Sequence, residues 1–131
     1  MSDTSPLKRI VMRLARNPGA ALSEPDDHRG YALVAPLDAD GALDGTAYAH
    51  HREACLVRHF APDQEPRTGR LVREGVNWFF DYDPADDADN ESVYRLREHR
   101  FTLGAYISIG SGPGEPLIYK VTAIEPVAVD A

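Results

Sequence analysis

Apolar and polar residues alternate in short runs along most of this chain, and each run stops at glycine, proline or a group of acids. That pattern is the mark of half-buried strands. The clearest run covers residues 76–82, with Val76, Trp78, Phe80 and Tyr82 on one face and Asn77, Phe79 and Asp81 on the other. Three aromatics on the first face bury roughly 150–250 Å2 each, so that face is assigned to the core and Phe79 to the exposed side. Residues 7–16 fit two periods: Leu7, Ile10, Val11 and Leu14 sit at helical spacing, whereas Ile10, Met12 and Leu14 alternate with Arg9, Val11 and Arg13. The strand is preferred, because a β-rich remainder can pair with it. Asn17-Pro18-Gly19 ends the element on either reading.

Residues 20–29 carry Pro25 among Ser23, Glu24, Asp26 and Asp27 and read as an excursion over the surface. A strand follows over 31–37, then a turn over 38–41. Asp44 reads as the N-cap of a helix over 45–54, with Ala47, Tyr48, His51, Ala54 and Cys55 as its apolar stripe. Beyond it come a strand over 56–61, a loop over 63–69, a strand over 70–74 and the aromatic strand. An acidic loop over 83–92 leads to a strand over 93–98 and a turn over 101–104. Strands over 105–109 and 117–124 form a hairpin around a glycine- and proline-rich tip. The total is about seven strands and one short helix, which predicts a mainly β fold with an α+β margin: a small antiparallel β-barrel or sandwich. The 131 residues suit one domain, with 1–6 frayed and 127–131 as a tail.

Charge narrows the partners. Fourteen basic against 21 acidic residues leave a net charge of −7, which argues against DNA or RNA. No run is long and apolar enough for a bilayer, and residues 7–15 are interrupted by Lys8, Arg9 and Arg13, unlike a signal peptide. The expected location is the cytoplasm. One cysteine, Cys55, excludes an internal disulfide and a four-cysteine zinc site.

Four places invite chemistry. His51, Cys55 and His59 would stack on one face if the helix ran through His59, making a zinc site from adjacent members. The outer two would stand about 12 Å apart, too far for one ion to take all three. The same cysteine beside His59 or His99 would be a nucleophilic pair, provided its thiol is accessible and in a positive field. Asp81, Asp83, Asp86, Asp87, Asp89 and Glu91 form an acidic stretch suited to calcium. Read from Asp87 it places acids as in an EF-hand, but Ser92 stands where glycine is required and strands flank it. Finally, Arg58, Arg95, Arg97 and His99 on polar faces would make either cross-strand ion pairs, such as Asp81 with Arg95 or Arg97, or an anion site built on an arginine fork. Gly110-Ser111-Gly112-Pro113-Gly114 lacks the following helix that a phosphate loop requires.

Gly30-Tyr31 with Ala35-Pro36-Leu37-Asp38 and Asp40-Gly41, His51-Arg52 with Ala54-Cys55 and Val57-Arg58, Trp78 with Phe80-Asp81-Tyr82-Asp83, and His99 with Phe101, Gly104 and Tyr106-Ile107-Ser108-Ile109 together resemble a family of small uncharacterised bacterial proteins. The resemblance spans most of the chain. It implies a free-standing domain and brings no activity, ligand or catalytic residue.

The leading expectation is therefore a non-enzymatic binding or protein-interaction domain on a β scaffold, with no catalytic residues and no resident cofactor. Its contacts would be Arg58, Arg95, Arg97, His99 and Phe79, meeting a protein or small ligand, or a second copy through an exposed sheet edge. The alternative is a small metal-dependent or Cys/His enzyme centred on His51, Cys55, His59 and His99. A third is a regulatory module acting through the acidic loop 81–91.

Overall fold

In a computed structural model of the chain, the described residues form eight strands, each hydrogen-bonded to the next in sequence order, and the last returns to the first to close a barrel. The structure describes residues 7–17, 24–62, 64–74, 77–81, 91–93, 100–111 and 117–127. The strands are β1 (Leu7–Leu14), β2 (Asp26–Pro36), β3 (Leu56–Ala61), β4 (Gln64–Glu74), β5 (Asn77–Asp81), β6 (Glu91–Val93), β7 (Tyr106–Ser111) and β8 (Leu117–Pro126). Every neighbouring pair is antiparallel, including β1 with β8. The mainly β, antiparallel expectation holds.

Alternation explains the filling. Ile10, Met12 and Leu14 of β1 point inward, as do Tyr31, Leu33 and Ala35 of β2, Trp78 and Phe80 of β5, Ile107 and Ile109 of β7, and Tyr119 and Val121 of β8. Each set is spaced by two, the strand period. Eight strands make a tube just wide enough for side chains to fill. Tyr31 sits at the centre of an aromatic cluster, 4.9 Å from Tyr119, 5.3 Å from Phe80 and 4.6 Å from His59, ring centre to ring centre. Trp78 and Phe80 are buried, as the aromatic row predicts; Val76 and Tyr82 lie outside the described residues. Closure removes the exposed sheet edge through which a partner strand was expected to pair.

Three segments depart from expectation for identifiable reasons. Residues 64–69 are the first half of β4, not a loop. Pro66 is tolerated because Arg67 pairs with His59 and Gln64 with Ala61, so Phe60 faces two residues across a bulge and no ladder bond is asked of the proline. Residues 26–30 likewise begin β2. They bulge away between the pairs Arg13–Gly30 and Leu14–Asp26. The helix, α1, spans Gly45–His51 and passes into a 3-10 turn over Arg52–Ala54.

The connection from β2 to β3 covers one end of the barrel. Asp38 Oδ1 accepts from the amides of Asp40 (2.8 Å) and Ala42 (3.0 Å), and Gly41 takes a φ of +86° that disfavours any side chain. Asp44 caps α1 as expected, its Oδ1 accepting from Thr46 (3.0 Å) and Ala47 (3.1 Å). Tyr48 anchors the helix: its ring meets Trp78 edge-on at 5.1 Å and its hydroxyl donates to Leu71 O at 2.7 Å. Arg73 lies over the Trp78 ring.

The backbone of β1 lies close against Gly30 of β2. A Cβ built there would stand 1.9 Å from the Met12 carbonyl oxygen and 2.9 Å from Arg13 Cα, both backbone atoms. Gly30→Ala should therefore force the two strands apart beside the bulge and lower stability by about 3 kcal/mol. Urea unfolding of both proteins measures this; a loss below about 0.5 kcal/mol, the level of an ordinary surface change, would show that the strands part without cost.

Candidate functional site

Residues expected to hold a metal are pulled apart by the helix ending. His51 closes α1, Cys55 follows the 3-10 turn, and His59 is four residues along β3. In an extended strand four residues span about 13 Å, so Cys55 and His59 cannot share an ion or a proton. His59 instead stacks on Tyr31, with an angle of 15° between the rings. Its row runs inward across four strands: Met12, Tyr31, His59 and Arg67 are successive ladder partners. Among the described residues no three His, Cys, Asp or Glu side chains gather as a metal group. His99, the fourth member of that centre, and most of the acidic stretch lie outside the described residues.

Cys55 is fully buried in the core cluster. Its Sγ donates to His51 O at 3.4 Å, and its backbone oxygen accepts from Leu71 N at 2.9 Å. Burial pushes the thiol up to about 11. At pH 7 that leaves on the order of one thiolate in ten thousand, the reverse of an activated nucleophile. Tyr48 is pushed up too, first by burial and then by the charge Cys55 would carry.

The expected contact residues are also spread. Arg58 is exposed on the outer face of β3, flanked by Ala32 and Thr68. With Arg9, Val34 and Leu56 it borders a shallow depression of about 240 Å3. Phe79 is half-buried rather than exposed, because Val72 lies directly beside it on β4. Leu56 is 45% exposed, but its ladder partner is Arg70, whose partner in turn is Asp81. Charge thus interrupts the apolar patch. Arg95 and Arg97 lie outside the described residues, and the ion pairs expected of them with Asp81 go with them.

A different set of side chains does converge. Arg13, between buried Met12 and Leu14, points outward from β1. Its ladder partner on β8 is Lys120, and the ladder partner of Lys120 on β7 is Tyr106. The three form one outward row across the closing seam. They rim a hollow of about 630 Å3 with Arg16 and Asp27, over a floor that includes Leu14, Ala15 and Ile118.

Two bulges shape this hollow, one on each side of Arg13. On the β2 side the ladder skips from Gly30 to Asp26, and Arg13 Nε donates to Asp27 O at 3.1 Å. On the β8 side it skips from Val121 to Ala123, leaving Thr122 as the extra residue. The Thr122 hydroxyl accepts from the Arg13 guanidinium and donates to Val11 O at 3.3 Å. Asn17 holds the floor in place. Its buried amide donates to Ala15 O and Ile118 O, and its carbonyl accepts from Ile118 N at 2.7 Å, extending the seam past the end of β1. Arg16 is thereby carried to the rim. Among the described residues, Arg13, Arg16 and Lys120 make no salt bridge.

The chain matches no protein-family model, no curated protein and no solved structure. No helix among the described residues is long and apolar enough to cross a membrane.

The buried thiol carries a pH signature. Folding raises the Cys55 ionisation from 9.0 to about 11. Below about pH 9 both states keep the proton and the stability from burying the neutral thiol is complete. As pH climbs towards 11 the unfolded chain releases a proton that the folded chain retains, so stability falls, by about 3 kcal/mol in all. Cys55→Ala lacks this loss. Its stability deficit relative to the natural chain should shrink between about pH 8.5 and 11 in chemical unfolding. A deficit that stays constant across that window would mean the thiol is hydrated in the fold.

Proposed function

We propose that this protein is a single-domain, non-enzymatic binding protein of the cytoplasm, and that the external hollow at the β1–β8 seam is where it takes a small anionic ligand. One observation carries the reading: two cations, Arg13 and Lys120, stand directly opposite each other on adjacent strands and rim a hollow opened by two bulges. Like charges in direct cross-strand register are destabilising. Bulges recur where a sheet re-aims side chains beside a site. The interior is taken up by core side chains, so capture falls to the outside of the barrel.

The enzymatic alternative has less in its favour. Its thiol is buried and protonated, and the separation of Cys55 from His59 along β3 leaves neither a chelate nor an acid–base pair. A lone buried cysteine suits a reducing compartment, where no disulfide is called for. No resident metal or cofactor enters this reading.

Ligand-observed NMR on the full chain, with a pool of small phosphorylated and carboxylated metabolites, tests it. At least one component should bind, and none should be chemically changed during a day of incubation. Conversion of any component would replace the reading with an enzyme, and a pool that leaves every signal untouched would remove it.

A further inference from the structure

We propose that the ligand of the seam hollow is a phosphate monoester carried on a flat ring, a molecule of mononucleotide size. This deepens the binding reading above and rests on it. Among the described residues that line the hollow, Arg13, Arg16 and Lys120 face one carboxylate, that of Asp27, an excess of positive charge in a chain whose net charge is −7. A phosphate monoester carries about −1.5 to −2 at neutral pH and matches that excess, whereas one carboxylate falls short.

Arg13 is fixed before any ligand arrives, since Asp27 O and the Thr122 hydroxyl hold two of its nitrogens. Both acceptors are neutral, so the guanidinium keeps its full charge. An arginine held in this way offers its remaining donors to a phosphate oxygen, while Lys120 alongside acts as a point charge.

Volume and exposure settle the rest of the molecule. A hollow of about 630 Å3 lies in the range that small organic ligands occupy, and a bare phosphate would leave most of it to water. Tyr106 continues the row past Lys120 and is 56% exposed. An exposed aromatic ring at the rim of a cationic site is a stacking platform for a nucleobase or similar ring. Ile118 and Ala15 supply an apolar floor beneath it. The chain's negative charge and the wall formed by Pro25 and Asp27 favour a single small molecule over a polynucleotide.

Titration of the isotopically labelled full chain with adenosine monophosphate, adenosine and inorganic phosphate tests the proposal. Adenosine monophosphate should shift the amides of Arg13, Tyr106 and Lys120 and bind at least about tenfold more tightly than either fragment. Lys120→Gln should weaken it about tenfold, and Tyr106→Leu should reduce it to the level of inorganic phosphate, with both variants keeping the folded spectrum. Binding no tighter than inorganic phosphate, or shifts confined to other parts of the barrel, would overturn the assignment. If adenosine monophosphate fails while another member of the metabolite pool moves these same amides, the ligand class is wrong and the binding site stands. If nothing in the pool binds, both fall together.

Discussion

The pairing of the first strand with the last governs this molecule. β1 and β8 come from opposite ends of the chain, and their ladder runs from Lys8–Pro126 to Leu14–Tyr119. Without it the sheet would be an open meander with two long edges, each a row of unpaired backbone donors and acceptors. With it, Ile10, Met12 and Leu14 become the wall of a closed core against Tyr119 and Val121. Such a contact is entropically costly to form and gives nothing back until the strands between are in place. Continuity of the other seven seams is thus a precondition of the eighth. Among the described residues, β6 contributes Glu91–Val93 to two of these seams.

Face assignment is where the sequence spoke most clearly. Period two separates Met12 from Arg13 and Tyr119 from Lys120 without any coordinates, and it placed Trp78 and Phe80 inward. The helix start was also legible, because an aspartate at an N-cap has a local job that depends on no distant residue. Elements whose fate hangs on a neighbour were harder. Pro66 looks like a strand breaker until Phe60 is seen to face two residues, and the polar segment 26–29 looks like a loop until Arg13 is seen to bond its backbone. In both cases a bulge reconciles the local signal with the ladder, and bulges belong to pairs of strands, not to single ones.

The site was hidden for the same reason. Arg13 and Thr122 are 109 residues apart in sequence and touch only because the barrel closes. Nothing in either strand alone distinguishes Arg13 from Arg9, or Lys120 from Lys8. Conversely, His51, Cys55 and His59 attracted attention because they are near one another in sequence. Nearness along a chain becomes nearness in space only within one regular element. Here the helix stops at His51, the 3-10 turn inserts Cys55 into the core, and the strand carries His59 away to stack on Tyr31. Each residue then does structural work that competes with chemistry: the thiol fills space, and the imidazole ring extends an aromatic stack.

A chain with an excess of acids leaves two cations side by side at its closing seam. Simple surface solvation is a poor account of Arg13, because the residue is half-buried and its guanidinium is held on two neutral acceptors. Those bonds order the side chain without neutralising it, and among the described residues it makes no salt bridge. A glutamate in place of Lys120 would have offered a favourable cross-strand pair at the very contact that closes the barrel. A lysine there instead sacrifices some stability at the seam and creates a positive field over a concave, partly apolar surface. The cost is small on the scale of a whole domain, since exposed charge pairs are worth under about 1 kcal/mol. The field it leaves is available to a ligand without any rearrangement, because the bulges, Asn17 and Thr122 have already set the geometry. Preorganisation of this kind lowers the entropic penalty of binding, and it is the physical reason for proposing a ligand site on the outer seam rather than in the filled interior.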